Sequence, residues 1–431
     1  MACKSVECAG IASSDTAHVW HPYTQHRGAP PPVPIVRGEG ALLFDDTGRP
    51  IVDAISSWWV TTHGHGHPGI ARAIAAQAEQ LEQVIFTGFT HAPAAMLATD
   101  LTGRLPDGLT RVFYSDDGST AVEVAIKIAF QYWSNVGERR THIAALAHAY
   151  HGDTFGAMSA SAPSMFTAPF ADNLFEVIRL PAPDSTSVLG ALDQVLDSAG
   201  DTVAALIIEP LLQGAGGMRM WDPETLRGMR ARTAARGVLL IADEVLTGFG
   251  RTGPLFACQA AGVSPDIICL SKGLTGGFLP LGATVVREEI FAAFASADWT
   301  HTLFHGHSYT ANPLACAAAR ASLALLDDES SARRCAIERQ HRARLARVRT
   351  HARVGNARVL GTVAAFDIAG DAGYLNPIGR ALSAFALKAG VLLRPLGNVV
   401  YVLPPYCITE EQLDLVYDTI EQFLERDPAS S

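Results

Sequence analysis

Only four of the 33 basic residues are lysines: Lys4, Lys127, Lys272 and Lys388. Chemistry that needs an amine nucleophile therefore has a short candidate list. Such a lysine must sit beside a carbonyl with its amine partly deprotonated. Lys4 lies in a terminal stretch, Lys127 falls inside a helical pattern, and Lys388 precedes a helix-ending Ala389-Gly390. Lys272 follows the apolar run Asp266–Leu270 and precedes Gly273, Gly276 and Gly277, so it stands at a strand end. Its alternative is a surface lysine with its stem on apolar neighbours. Asp243 and Glu244 close a second apolar run, Val238–Ala242, and a Gly-rich loop follows to Gly253. Ligands bind beyond the carboxyl ends of parallel strands. A carboxylate there can hold a protonated ring nitrogen, or simply cap the next turn. The third element is Asp117-Gly118-Ser119-Thr120, between a strand and the helix Ala121–Trp133. Free N–H groups at a helix N-terminus attract an anion, and Ser119 suits the N-cap. An ordinary capped helix reads the same way.

Other chemistries find less support. Gly214-Ala215-Gly216-Gly217 lacks the GxGxxG spacing of a dinucleotide fingerprint. His63-Gly64-His65-Gly66-His67-Pro68 is glycine-broken and has no nearby cysteine or acid to complete a tetrahedral set, so no metal is expected. A net charge of −10 offers no footprint for nucleic acid. Apolar runs such as Val203–Ile208 are strand-sized, well short of the roughly 18 residues that span a bilayer. The first twenty residues contain no apolar segment of the secretory kind. Seven dispersed cysteines without CxxC spacing suit a reducing compartment, so a cytoplasmic location is expected.

These residues need a scaffold. Hydrophobic residues at 48% and charged ones at 18% exclude global disorder. The first 30 residues read as mobile, Pro30–Pro34 as a rigid connector, and Ile35–Arg37 as extended. Ala41–Asp45 and Ile51–Ile55 read as a hairpin about Asp46-Thr47-Gly48, and Ile70–Val84 as a helix. Strands are then expected at Val112–Ser115, His142–Ala147, Glu176–Arg179, Val203–Glu209, Val238–Asp243, Asp266–Leu270 and Gly282–Val286, with helices between them. That alternation predicts an α/β fold with a mostly parallel seven-stranded sheet covered on both faces. Residues 311–345 read as one long helix; Val359–Ile368, Val391–Leu393 and Val399–Leu403 as strands; Glu410–Glu425 as a closing helix. The expected division is an N-terminal segment over 1–69, a large domain over 70–310, and a small C-terminal domain over 311–431. Both chain ends would contribute to the small α+β domain.

A phosphate cradle, an acid for a ring nitrogen and a lysine for an aldehyde, all at strand ends of one sheet, match the needs of pyridoxal 5′-phosphate. The string Asp243–Gly253 followed by Ser271-Lys272-Gly273 resembles the class III aminotransferases of fold type I, and the likeness runs from Gly40 to about Pro405. Trp20–Thr24, Ser56–Trp59, Ala149–Thr154 and His305–Tyr309 resemble the branch that aminates 8-amino-7-oxononanoate in biotin biosynthesis, usually with S-adenosyl-L-methionine as donor. The resemblance implies roles. Lys272 would bind the cofactor aldehyde and act as general acid and base. Asp243 would pair with the ring nitrogen. Gly118 and Ser119 would bind phosphate, with Tyr150 and Val245 on the two ring faces and Glu209 in the polar surroundings. Ser308 would reach the phosphate from a partner subunit, with Gly306 and His307 beside it, so a homodimer is implied. Arg394 would fork onto the substrate carboxylate. Tyr23, Trp58, Trp59 and Tyr401 would line the substrate chain, with Asp153 and Arg251 as polar members of that region; plain core packing stays open for Trp59.

The sequence also departs from the family pattern. Asp117 stands where a small hydroxyl residue is usual and is expected to point away from phosphate. Ser308 replaces a common threonine. Leu246 replaces the glutamine of the ornithine and 4-aminobutyrate branches, which argues against those substrates. The reaction implied is a two-stage ping-pong transfer through one pocket that holds two unlike molecules in turn. The alternatives are an ω-aminotransferase acting on ornithine, 4-aminobutyrate or β-alanine, the same reaction with lysine as donor, and a non-catalytic binding protein on this scaffold.

Overall fold

The computed structural model describes residues 10–371 and 373–426. Lys4, Cys3, Cys8 and the start of the non-secretory stretch lie outside them. The central sheet has seven strands. In spatial order they are Leu109–Ser115, Gly282–Arg287, Ile267–Leu270, Leu239–Asp243, Val203–Ile208, His142–Leu146 and Val177–Leu180. Gly282–Arg287 pairs antiparallel with both neighbours, and the remaining pairings are parallel. Every residue of Val203–Ile208 is buried, as befits a strand with helices on both faces. The carboxyl ends of the parallel strands therefore share one edge, and it carries Asp116, Glu209, Asp243 and Lys272.

The two chain ends meet in a second sheet. Ile35–Glu39, Leu42–Asp45 and Pro50–Asp53 form an antiparallel run, and Val391–Leu392 adds parallel to Pro50–Asp53. A third sheet joins Val354–Leu360, Val363–Ile368 and Val399–Val402. Among the described residues no helix is long and apolar enough to cross a membrane, and the five cysteines there are all free thiols.

Several expectations need correction. The stretch 311–345 is two helices, Pro313–Ala324 and Asp328–Val348. Asp327 starts the second by accepting the Ser330 N–H at 2.9 Å, and a run of Ala and Arg concealed that cap. Val359–Ile368 is part of a hairpin, because Gly361 turns the chain at φ +55 where a Cβ would meet Arg251 O at 2.5 Å. The helix expected over Ile70–Val84 is Pro68–Ala78. Gln77 Nε2 donates to Leu81 O at 2.9 Å and closes it early. The first 30 residues include a short helix, Ile11–His18. The helix behind the anion loop spans Gly118–Asn135, and its N-cap is Asp117, not Ser119. Asp117 accepts the Thr120 N–H at 2.8 Å, so the unusual carboxylate is occupied by a capping box.

Candidate active site

A cavity of about 510 Å³ opens on the carboxyl edge of the central sheet. Lys272 lines it, directly after strand Ile267–Leu270, with a left-handed φ of 40. Strain of this kind in a non-glycine residue persists only where the surroundings hold it. Its Nζ stands 4.7 Å from the centre of the Trp59 ring. Burial lowers its pKa to about 8; Asp243 and Glu209 oppose that shift and Arg251 adds to it. The amine is thus poised nearer to neutrality than an ordinary lysine.

Asp243 ends strand Leu239–Asp243. Its Oδ2 lies 2.7 Å from His151 Nδ1, and its Oδ1 accepts the Val245 N–H at 3.1 Å. His151 Nε2 is buried without a protein partner. Glu209 accepts the N–H groups of Tyr150 at 3.0 Å and Gly214 at 2.9 Å. Burial pushes its pKa up to about 7, with Asp243 adding and His151 opposing.

The anion loop faces the same cavity through Gly118 and Ser119. A helix offers no acceptor for its first N–H groups, and the Asp117 cap takes only that of Thr120. Ser119 Oγ accepts the Asp153 N–H at 3.1 Å. Gly152 makes this approach possible, since a Cβ there would meet Ser119 Oγ at 2.3 Å. The O–H of Tyr23 donates to Asp153 Oδ2. Burial first, then Asp153, raises the Tyr23 pKa to about 12. Tyr150 O–H lies 3.4 Å from Tyr23 O–H, and burial pushes the Tyr150 phenol well up.

The wall is aromatic. Trp59 is buried and meets Tyr401 edge-on at 5.8 Å between ring centres, so it packs the core and lines the cavity together. Trp58 is 40% exposed. Arg394 Cζ lies 4.5 Å from its ring centre, and Tyr23 meets it edge-on at 5.5 Å.

Lys272, Asp243, Val245, Tyr150, Gly118, Ser119, Tyr23, Trp58, Trp59, Asp153, Arg394 and Tyr401 all line this one cavity. Arg251 does not. Its guanidinium is 1% exposed and donates to the backbone oxygens of Pro404, Trp59 and Thr61. It braces the wall from behind, because the Gly-rich loop turns it inward beneath the cavity. Gly306, His307 and Ser308 are also absent from this lining. Ser308 O accepts a bond from Gln83 Nε2 at 2.8 Å, and His307 Nδ1 accepts the Tyr309 N–H at 3.2 Å.

Among the lining residues that received no role from the sequence are His151, Asp116, Phe166 and Tyr374. His151 stood inside a quoted motif, but its partner Asp243 is 92 positions away. Phe166 meets Tyr23 at 5.6 Å and Tyr374 at 4.8 Å; both it and Tyr374 also line a neighbouring cavity of about 520 Å³. They sit on aperiodic loops that carry no sequence signal. The histidine run disperses: His63 Nε2 meets Ser322 Oγ at 3.0 Å and His65 Nε2 meets Asp53 Oδ2 at 2.9 Å.

The donor set suits pyridoxal 5′-phosphate. It presents a helix N-terminus for a phosphate, a carboxylate buttressed by His151 for a ring nitrogen, and an amine of lowered pKa for an aldehyde. Gly118 shapes the cradle, since a Cβ there would meet Val245 Cγ1 at 2.7 Å.

A seven-stranded sheet with a strand-end lysine facing a strand-end aspartate defines a class of protein, and comparison agrees. The class-III aminotransferase family model matches residues 23–424. The chain belongs to that family; it is an aminotransferase and its cofactor is pyridoxal 5′-phosphate. A Synechococcus elongatus protein named adenosylmethionine-8-amino-7-oxononanoate aminotransferase is 53% identical, over 95% of this chain and 98% of that protein. A Nitratidesulfovibrio vulgaris protein of the same name is 41% identical, over 97% of this chain and 82% of that protein. The crystal structure of the Methanocaldococcus jannaschii aminotransferase of that name superposes with a TM-score of 0.91 at 34% identity, covering 96% of this chain and 98% of the other.

Proposed function

We propose that this chain transfers an amino group to 8-amino-7-oxononanoate, forming 7,8-diaminononanoate for biotin synthesis, with S-adenosyl-L-methionine as donor. The observation that carries the reading is the composition of the wall. Arg394 is the single arginine lining the cavity among the described residues, and it stands against Trp58, beside the other wall aromatics Tyr23, Trp59 and Tyr401. An aliphatic chain ending in one carboxylate suits that arrangement. Aromatic faces also accept an adenosyl group with its sulfonium charge, so one cavity can serve two unlike molecules. The names of the 53% and 41% identical relatives support the same choice.

When bound, pyridoxal phosphate supplies an aldehyde for the amino group and a ring that accepts an electron pair. The protein supplies the rest. Lys272 Nζ takes the proton from the substrate carbon that bears nitrogen and returns it on the other side of the transfer. Its lowered pKa lets one amine do both near neutral pH. Asp243 holds a proton on the ring nitrogen, and the bond to His151 fixes its carboxylate. Gly118 and Ser119 bind phosphate oxygens by N–H and hydroxyl groups. Tyr150 and Val245 confine the ring, while Tyr23, Trp59 and Tyr401 keep water from the reacting carbon. Asp153 orients Tyr23, and Arg394 binds the carboxylate in two parallel hydrogen bonds.

The functional unit proposed is a homodimer in the cytoplasm, with Ser308 of the partner subunit at the phosphate and Gly306 and His307 beside the substrate. Trp299, Phe304 and Tyr309, in the segment that carries Gly306, His307 and Ser308, are 79%, 71% and 66% exposed in the single chain, which supports a covering surface there. The domain division proposed remains 1–69, 70–310 and 311–431, supported by the sheet that joins both chain ends.

The test is a visible spectrum. A long-wavelength band should bleach toward the near ultraviolet with S-adenosyl-L-methionine and return on adding 8-amino-7-oxononanoate. Bleaching by lysine alone would reassign the donor. Failure of the oxononanoate to restore the band would refute the acceptor.

A further inference from the structure

The wall residues Trp58 and Trp59 belong to a backbone segment that should not hold its shape unaided. Ser56, Ser57 and Trp59 have φ of 53, 59 and 67, and Ser57 combines its value with a ψ of −96. Three non-glycine residues in the left-handed region within four positions are costly and need external restraint. The restraint converges on Asp53, which is fully buried at the end of strand Pro50–Asp53. Its Oδ1 accepts the Ile55 N–H at 3.1 Å, and its Oδ2 accepts the Ser57 N–H at 2.7 Å. The same Oδ2 takes the Nε2–H of His65 at 2.9 Å. His65 is itself pinned by two backbone bonds to Gly40, at 2.7 and 3.1 Å. Gly38 leaves room for its ring, since a Cβ at 38 would meet His65 Cβ at 2.6 Å. Among the described residues no lysine or arginine bonds to Asp53. Its carboxylate is therefore committed to the turn and to His65.

We propose that Asp53, fixed by His65, is a positioning residue of this aminotransferase. The pair locks the Ser56–Trp59 turn so that Trp58 and Trp59 face the cavity, and thereby sets substrate recognition without touching substrate or cofactor. This gives one member of the histidine run a task that is not metal binding. The inference rests on the cavity being the aminotransferase site, and not on which carboxylate-bearing substrate it accepts.

Three readouts on the cofactor-loaded enzyme test it: the half-saturating substrate concentration in single turnover, the limiting rate, and the rate at which hydroxylamine, too small to need the wall, reacts with the bound cofactor. Asp53→Asn places an amide donor against N–H groups. It should raise the half-saturating concentration about tenfold or more, since ångström-scale misplacement is costly, and leave the other two readouts within about threefold. His65→Ala should act in the same direction. His65→Gln, whose amide can donate in place of Nε2, should restore most of the effect. Ser57→Gly in the Asp53→Asn background should recover recognition, because glycine adopts the turn without strain. Proportional loss in all three readouts would overturn the proposal in favour of general structural support, and so would an unchanged half-saturating concentration. If Asp53→Asn fails to fold, the partly exposed His65 variants decide the matter on the same criteria. Should the wild type ignore 8-amino-7-oxononanoate, the substrate reading fails. The series then runs with whichever ω-amino carboxylate bleaches the wild-type band, and the same outcomes apply.

Discussion

The shifted amine of Lys272 can be measured directly. Its pKa falls from 10.5 to about 8. At pH 8 about half of the amine is then neutral, against about 0.3% for an unperturbed lysine, so the share able to react is about 160-fold larger. The Trp59 ring, 4.7 Å from Nζ, favours the ammonium by about 1 kcal/mol, which trims the factor toward about 50-fold. The small number of lysines makes the assay clean. Trace acetylation of the cofactor-free protein across pH 6–10, followed by peptide mass mapping, reports Lys272 and Lys388 in one digest. Half-maximal labelling of Lys272 is expected between about pH 8 and 9, through the open cavity. The neighbours give signed controls. Glu209 and Asp243 raise the Lys272 pKa and Arg251 lowers it. Glu209→Gln should therefore move the midpoint down, and Arg251→Met should move it up. A midpoint above pH 10, or a Glu209→Gln shift in the upward direction, would refute the account of burial opposed by two carboxylates.

Lys272→Ala should abolish transamination; turnover above background would remove the lysine from its role. Arg394→Ala should cost roughly 2 kcal/mol, about 30-fold in kcat/KM for the carboxylate acceptor. Separate single-turnover measurements should show a smaller loss with S-adenosyl-L-methionine, and equal losses would contradict a selective clamp. Asp117→Ala should lower stability by about 1 kcal/mol, read from the urea midpoint, through loss of the helix cap. Burial depresses the folded-state pKa of His341 to about 4, and burial with help from His67 takes His63 to about 3. Both favour the neutral imidazole in the fold, so the stability they confer is present above pH 6.5 and is lost as the pH falls toward 4 and then 3. Thermal midpoints between pH 7 and 4 should show this limb, and His341→Asn should make it shallower.

Much of the architecture was legible because burial writes itself into composition. Continuous apolar runs marked the seven strands within a few residues, and the scarcity of lysine singled out Lys272. Misread boundaries have local causes. One helix ends at Ala324 and Asp327 caps another, inside a stretch whose Ala and Arg both favour helix. Gly361 turns a hairpin inside a stretch whose apolar residues continue on both sides. Ser119 and Asp117 are both good caps by type, and only the backbone geometry chooses between them.

The site shows the same division more sharply. The chemical types, an amine, a carboxylate and an anion loop at strand ends, were fixed by the chain itself, because a parallel sheet gathers its strand ends on one edge. What surrounds them was not. His151 reaches Asp243 across 92 positions, Arg251 turns behind the wall rather than into it, and Phe166 and Tyr374 enter from loops without periodicity. Asp53 and His65 pair over 12 positions to brace a turn whose strain is invisible in residue types. Local sequence determines which groups exist and which strand each one ends. Only packing decides which of them share a cavity, how far water is excluded, and so how far each pKa moves.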